Sequence, residues 1–213
     1  MEDAPGLLDQ EPAPIRGLRF AVIDFETSGG SPKAFWDRQE RFHPASEITE
    51  VGVVTLSGLI LESTFQRLCA AERGVPPLIQ RLTGITPALL AGAPAWERVA
   101  LELAPVLEGR IWVAHHAPFD GSFLKACLPQ GVWSRHRLIC TVRLARKLIP
   151  EAPSKSLGAL VTFLGLSNRR PHRALPDAEA TAELLQHLIG RAEVAGMDAE
   201  AFMKAGEVAW KKL

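Results

Sequence analysis

The sequence predicts a single α/β domain built on a mixed, five-stranded β-sheet with helices packed against it. Its 213 residues are 47% hydrophobic and 23% charged, which is enough apolar material for one sizeable core. Segments typical of antiparallel strands come first along the chain, and alternating strands and helices follow. This order favours a sheet whose first three strands are antiparallel and whose later strands are reached through helical connections.

The first predicted strand covers residues 18–26, an apolar and β-branched run that ends at a Thr-Ser-Gly-Gly turn. Residues 48–56 and 59–68 predict the second and third strands. Only Ser57-Gly58 separates these two β-rich runs, and a short break containing glycine indicates a hairpin. Two further short apolar runs predict the fourth and fifth strands, at 110–115 and 138–140.

Predicted helices fill most of the chain after the hairpin. Prolines at first-turn positions and apolar residues spaced i, i+3, i+4 indicate them. They lie within 77–107 and at 118–128, 141–149, 156–164 and 176–189, with Pro176 starting the last one.

The chain is expected to divide into three parts. Residues 1–15 predict a flexible N-terminal arm, because residues 1–14 carry four acids, no base and no apolar segment of a secretory signal. Residues 16–190 hold the main domain, and residues 191–213 predict a C-terminal helical extension.

Composition excludes several classes of function. Lys plus Arg and Asp plus Glu both number 24, so no net charge holds the chain on duplex DNA or an anionic membrane, and any polyanion must be gripped locally. No apolar stretch approaches the roughly 18 residues of a membrane helix. The three cysteines form no CxxC pair, which argues against a zinc framework and favours the reducing cytoplasm. The chain has no tyrosine, so no phenol takes part in its chemistry.

Asp24 and Glu26 stand two residues apart in the first strand, so the pleat points both carboxylates to the same face of the sheet. Carboxylates in an apolar strand are costly unless they are paired or bind a metal, and no Lys or Arg lies nearby in this strand. A pair of solvated acids at a strand edge is the alternative interpretation of this pattern alone.

Three further candidate residues follow later in the chain. Asp120 lies in the first turn of a helix just beyond a strand, where α/β proteins place their sites. The alternative for an isolated acid at this position is that it only stabilises the helix through its interaction with the helix dipole. His172 and Asp177 stand five apart around the start of the last predicted helix, and His172 taken alone is equally typical of a surface histidine.

In combination these residues resemble the three motifs of the DEDDh family of 3′→5′ exonucleases, the DnaQ-like type that includes proofreading subunits of DNA polymerases. The motifs are Asp24-x-Glu26, His115-His116-Ala117-Pro118-Phe119-Asp120 and His172-x4-Asp177. Supporting blocks are Glu50-Val51-Gly52, 82–86 (LTGIT) and 143–146 (RLAR). The resemblance covers residues 18–189.

The resemblance implies a ribonuclease H-like exonuclease fold over 16–190 and a two-metal hydrolysis of phosphodiesters. Asp24, Glu26, Asp120 and Asp177 are then the ligands of two divalent cations, Mg²⁺ or Mn²⁺, and His172 is the general base. The implied substrate contacts are Thr27, Leu82, Thr83, His116, Phe119 and Arg173.

The implied activity is release of nucleoside 5′-monophosphates from the 3′ end of single-stranded DNA or frayed ends, in a cytoplasmic enzyme. A DNA polymerase subunit is a candidate partner, and DNA is favoured over RNA. An exoribonuclease with the same chemistry and a non-catalytic nucleic-acid-binding module are the alternatives.

Three features complete the expectations. His116 stands where the family usually has Asn, which bears on the contact to the terminal nucleotide. The connection 31–46 is longer than the family's minimal turn and is interpreted as a surface loop rather than a lid. Residues 135–173 carry nine Lys or Arg against one acid, which makes them the candidate strand-binding face.

Overall fold

The computed structural model describes residues 13–168 and 170–213. Residues 1–12 of the arm predicted for 1–15 lie outside the described residues. Ile15–Gly17 forms a 3-10 turn in which Ile15 is buried in the core, and Arg16 pairs with Glu193 at 2.8 Å.

The predicted five-stranded mixed sheet is confirmed. Its strands, in chain order, are β1 (Arg19–Thr27), β4 (Ile48–Ser57), β5 (Ile60–Leu68), β6 (Ile111–Ala114) and β7 (Leu138–Cys140). The sheet order is β5-β4-β1-β6-β7; β1, β4 and β5 pair antiparallel, and β6 and β7 join in parallel. The connection 31–46 contains a separate two-stranded hairpin, β2 (Phe35–Trp36) with β3 (Phe42–His43), which the sequence analysis did not predict.

The helices are α1 (Pro77–Thr83), α2 (Pro87–Leu90), α3 (Trp96–Leu107), α4 (Pro118–Cys127), α5 (Gln130–Trp133), α6 (Thr141–Leu148), α7 (Leu157–Leu164), α8 (Ala174–Val194) and α9 (Ala199–Gly206). The stretch 77–107 is three helices because Gly84, with φ 72°, ends α1 in a left-handed cap that glycine adopts without strain.

The start predicted for the last long helix was wrong. α8 begins at Ala174 rather than at Pro176, because the carboxylate of Glu50 accepts a hydrogen bond from the Ala174 backbone N–H at 3.0 Å. Pro176 lies in the first turn, where a missing N–H costs nothing. α8 also continues to Val194, so the boundary expected between residues 190 and 191 falls inside this helix.

Two apolar cores cover the two faces of the sheet. Phe20 and Val22 of β1 pack with α6, α7 and α8 on one face, and Ile23 and Phe25 pack with α3 and α4 on the other. Even-numbered residues of β1 therefore face α8, as a period of two requires.

Gly52 of β4 explains how closely α8 approaches the sheet. A Cβ atom at residue 52 would lie 2.3 Å from the backbone of Ala174 and Leu175. Only glycine allows this contact, which seats the first turn of α8 directly on β4.

The C-terminal segment packs onto the main domain. The Val208 N–H donates to the carbonyl of Leu138 at 2.8 Å, the Trp210 indole N–H donates to the carbonyl of His136 at 2.7 Å, and Phe202 of α9 is fully buried. Within the described parts of the chain, no helix combines the length and apolar character needed to cross a membrane.

Candidate active site

Asp24 and Glu26 lie at the end of β1 on the face that meets α8. They continue the row of Phe20 and Val22, so the strand is apolar where α8 covers it and acidic where the cover ends. In the antiparallel register Asp24 stands opposite Gly52, and Glu26 stands opposite Glu50.

Asp177 joins them from the first turn of α8. One carboxylate oxygen each from Asp24, Glu26 and Asp177 lie within 4.8 Å of one another. Asn168 donates its side-chain amide to Oδ1 of Asp177 at 2.6 Å, and the His172 backbone N–H donates to Oδ2 at 3.0 Å. The third motif thus folds back on itself and holds its carboxylate against the two acids of β1.

Asp120, from the first turn of α4, lies beside these three acids but does not belong to the group whose oxygens lie within 4.8 Å of one another. Its side chain is buried, and Oδ1 accepts the backbone N–H of Phe25 at 3.1 Å, between the two acidic residues of β1. The four predicted acids therefore meet at the end of the central strand β1.

Burial raises the pKa of all four acids, and repulsion from neighbouring acids adds to it for Asp24 and Glu26. Burial, and next the charges of Asp120 and Asp177, raise the pKa of Asp24 well above its ordinary range. Burial and the charge of Asp177 raise the pKa of Glu26 to about 8, and burial raises the pKa of Asp120 to about 7. Burial also raises the pKa of Asp177, against the hydrogen bond from Asn168. Crowded oxygen ligands of this kind fit a hard divalent cation, whose charge would offset their repulsion.

The raised pKa values predict a pH-dependent stability. Glu26, with a pKa of 4.5 in an exposed peptide and about 8 here, holds its proton more tightly when folded, so its contribution to stability falls as pH rises between those values. In EDTA we expect the melting temperature of the wild-type protein to fall as pH rises across this range. The fall should be less steep for Glu26→Gln. Mn²⁺ should restore the wild-type melting temperature at the upper end of the range. Thermal melts at each pH test this; equal slopes for the two proteins would contradict it.

His172 is exposed and lies in the loop before α8. Its backbone has φ 63°, and His116 at the start of α4 has φ 62°; both are left-handed conformations that are uncommon for residues other than glycine. Asn and His are among the residues that tolerate this region, which gives a physical reason why His116 can replace the family's usual Asn. Strained backbones of this kind cluster at functional sites.

The remaining predicted substrate residues border the acids or the neighbouring helices. Thr27 ends β1 and is buried, and its hydroxyl donates to the Gly29 carbonyl. Thr83 is buried at the end of α1, while Leu82 beside it is 51% exposed. A Cβ atom on Gly84 would lie 4.0 Å from the Arg170 guanidinium, which brings the end of α1 near the loop that carries His172.

Phe119 and His116 lie at the start of α4. Phe119 is half-buried against Phe123, with ring centroids 5.2 Å apart, and His116 is exposed. Their contacts with a substrate stay predictions.

Arg173 has a partner that the sequence analysis did not foresee. Its Nε lies 2.8 Å from Oε2 of Glu50, Nη2 bonds the other oxygen, and its side chain is only 12% exposed. Burial would raise the pKa of Glu50, but hydrogen bonds from Arg173, Ala174 and Gln66 outweigh it and hold the pKa below its ordinary value. This buried pair anchors the loop of His172 to β4, and a substrate contact by Arg173 stays a prediction.

Breaking the pair of Arg173 and Glu50 should destabilise the loop that carries His172. We expect Glu50→Gln to lower the free energy of unfolding by about 3 to 5 kcal/mol, because it removes the carboxylate that pairs directly with the Arg173 guanidinium, a side chain only 12% exposed. The control is Glu102→Gln, which removes solvent-exposed ion pairs with Arg67 and Arg98 and should cost less than about 1 kcal/mol. Urea unfolding of both variants measures the difference, and similar costs would contradict the anchoring role.

The basic stretch 135–173 does not present all its charges to a ligand. Arg169 lies outside the described residues. Of the other eight cations, four donate to protein groups: Arg137 to Glu200 and Glu207, Arg143 to the Glu207 carbonyl, Lys155 to the Ala152 carbonyl and Arg173 to Glu50. About half of these cations therefore form intramolecular contacts that stabilise the fold.

Two site residues were missed as functional candidates. Glu50 lies inside an apolar strand, the same pattern that drew attention to Asp24 and Glu26, and could have been found by it. No sequence pattern of this kind marks Asn168, which lies outside the strands and helices. His115 is half-buried and bridges the Thr141 hydroxyl and the Lys155 carbonyl, at 2.8 and 3.0 Å. Loss of solvent lowers its pKa to about 4, so it is a neutral structural residue.

Comparison with known proteins agrees with this geometry. The model of the exonuclease family RNase_T matches residues 21–185. The chain is 33% identical over 167 residues to the DNA polymerase III subunit epsilon of Aquifex aeolicus, covering 78% of this chain and 77% of the relative. It is 34% identical over 195 residues to a protein of Mycobacterium tuberculosis named as a bifunctional exonuclease/endonuclease, covering 90% of this chain but spanning only 30% of that protein.

Solved structures share the fold. Exonuclease X in complex with 5′ overhanging duplex DNA matches with a TM-score of 0.65 and 27% identity, covering 87% of this chain and 98% of that one. The nuclease domain of 3′hExo, described as a DEDDh family member, matches in fold with a TM-score of 0.62 at 20% identity, covering 84% and 94%. The chain therefore belongs to the exonuclease family, and the resemblance of its motifs to the DEDDh 3′→5′ exonucleases is confirmed.

Proposed function

We propose that this protein is a metal-dependent 3′→5′ exonuclease that releases nucleoside 5′-monophosphates from single-stranded DNA or frayed 3′ ends, in proofreading or repair. The observation that carries the proposal is the convergence of Asp24, Glu26 and Asp177 within 4.8 Å, with Asp120 beside them and the His172 backbone bound to Asp177. All five motif residues thus belong to one edge of the sheet.

The four carboxylates are the residues that would hold two divalent cations, Mg²⁺ or Mn²⁺. When bound, these cations would supply the positive charge that polarises the scissile phosphate and lowers the pKa of the attacking water. Asp24 has no positively charged partner among the contacts that shift its pKa, so cations would relieve the repulsion described above.

His172 is the residue proposed to take the proton of the attacking water. His172 is exposed, and its backbone N–H donates to the Asp177 carboxylate, which holds this residue next to one of the proposed ligand acids. Imidazole changes charge near neutral pH, which suits a general base. The exposed Leu82, with Thr27, Thr83, His116 and Phe119, is proposed to border the terminal nucleotide.

DNA is the substrate we favour over RNA. The support is the similarity to a DNA polymerase III subunit and to exonuclease X in a DNA complex. A polymerase is accordingly the proposed partner. The three cysteines are all free, which supports the cytoplasm as the proposed location.

A digestion assay tests the proposal. Linear single-stranded DNA, a duplex with a frayed 3′ end, linear RNA and circular single-stranded DNA are incubated with Mg²⁺, Mn²⁺ or EDTA. We expect mononucleotides from the linear DNA substrates with either cation, none in EDTA, and intact circles. Cut circles would overturn the exonuclease assignment, and faster digestion of RNA would overturn the preference for DNA.

A further inference from the structure

The hairpin 35–43, formed by β2, β3 and the turn between them, exposes three large aromatic side chains. Phe35 is 46% exposed, Trp36 69% and Phe42 56%. Phe35 stacks on His43 with centroids 4.7 Å apart, and Trp36 lies against Phe42 at 5.3 Å. Neighbouring residues of a strand point to opposite faces, so each face of this ribbon carries one aromatic pair.

The turn of the hairpin is held in one shape by Asp37. Its carboxylate accepts hydrogen bonds from the backbone N–H groups of Gln39 and Arg41, both at 2.9 Å, from the Arg41 guanidinium at 2.7 Å and from the His43 ring at 2.9 Å. A ribbon of this kind is preorganised, so little conformational entropy is lost when a ligand stacks on it.

The connection that carries the hairpin starts directly after the acidic end of β1. It is inserted between β1, which carries Asp24 and Glu26, and β4. Its base is closed by bonds from Ser28 N–H to the Glu47 carbonyl and from Ser46 N–H to the Ser31 carbonyl, at 2.8 and 2.7 Å.

A cleft of about 370 Å³ leads from the end of β1 to the aromatic pair of Phe35 and His43. Its lining includes Ser28, Gly30, Pro44 and Arg73. The cleft lies on the face of the ribbon that carries Phe35 and His43, so Trp36 and Phe42 on the other face are left open to solvent.

Two exposed cations flank β2 along the chain, Lys33 before it and Arg38 in the turn after it, and the turn also carries the exposed acid Glu40. Lys33 and Arg38 are exposed, and within residues 13–168 and 170–213 neither forms an ion pair. Exposed rings on which bases stack, combined with cations that meet phosphates, are the chemistry of single-stranded nucleic-acid binding.

We propose that the hairpin 35–43 is a stacking platform for nucleotides of the single strand upstream of the one being cleaved. Trp36 and Phe42 stack on unpaired bases, and Lys33 and Arg38 meet the backbone phosphates. The platform gives the enzyme a preference for longer single strands over substrates of one nucleotide. This inference rests on the exonuclease function proposed above.

The test compares two substrates. A p-nitrophenyl ester of thymidine 5′-monophosphate occupies only the terminal position, whereas a 20-nucleotide single strand also extends to the hairpin. For the double variant Trp36→Ala/Phe42→Ala we expect KM for the strand to rise about tenfold relative to KM for the ester. The matched control is Ile60→Ala/Leu61→Ala, two apolar side chains that are 71% and 54% exposed at the far end of the sheet, opposite the start of β1. The control should leave this ratio unchanged.

The outcomes separate the two proposals. If the wild-type protein hydrolyses neither substrate, the exonuclease function fails. If it hydrolyses both and the hairpin variant keeps the wild-type ratio, the platform is refuted. A wild-type ratio accompanied by a change of oligomeric state in sedimentation would also refute it and would assign the hairpin to contact between copies of the chain.

Discussion

Asp24→Asn is expected to abolish hydrolysis of single-stranded DNA at any concentration of Mg²⁺ or Mn²⁺. The substitution keeps the shape of the side chain but removes a carboxylate on which burial and four neighbouring acids act. The same removal relieves repulsion, so in EDTA the variant should melt at a higher temperature than the wild-type protein above neutral pH, and it should lose most of the gain in melting temperature that Mn²⁺ produces.

Activity assays and thermal melts measure both effects. Glu179→Gln is the matched control, because Glu179 is an exposed acid on the same helix as Asp177, and both properties should stay at wild-type values. Full activity of Asp24→Asn, or an undiminished response of its melting temperature to Mn²⁺, would remove Asp24 from the site.

His172→Gly is expected to lower turnover by roughly 10² to 10⁴-fold, the range of general acid–base catalysis, with little change in metal affinity. Glycine suits this test, because residue 172 has φ 63° and glycine adopts that conformation without strain. The backbone N–H that binds Asp177 is kept, so the defect reports the imidazole alone. Added imidazole should restore part of the rate.

His172→Asn provides the second comparison, since asparagine also tolerates a left-handed backbone but cannot act as a base. The two variants should be equally slow. Near wild-type turnover of either one, or recovery on simply raising the metal concentration, would make His172 a structural or ligand residue. Asp177→Ala should behave in the opposite way and weaken metal binding.

Local patterns were sufficient for the elements that carry the acids. A period of two places Asp24 and Glu26 on one face of β1, and the structure confirms that both continue the row of Phe20 and Val22. The Ser57-Gly58 break predicts the hairpin of β4 and β5, and Pro118 predicts the start of α4, because turns and helix starts depend on a few neighbouring residues.

Contacts between residues distant along the chain account for what the sequence analysis missed. The start of α8 depends on Glu50, which is 124 residues away from Ala174 and caps its backbone, and on Gly52, which lets the helix touch β4. The buried pairing of Arg173 with Glu50, 123 residues away, is likewise invisible in the local pattern. Asp37 folds the 31–46 connection into a rigid hairpin through hydrogen bonds that no periodicity reveals. Propensity and period act over a few residues, whereas the partner of a buried charge is set by which distant strand packs beside it.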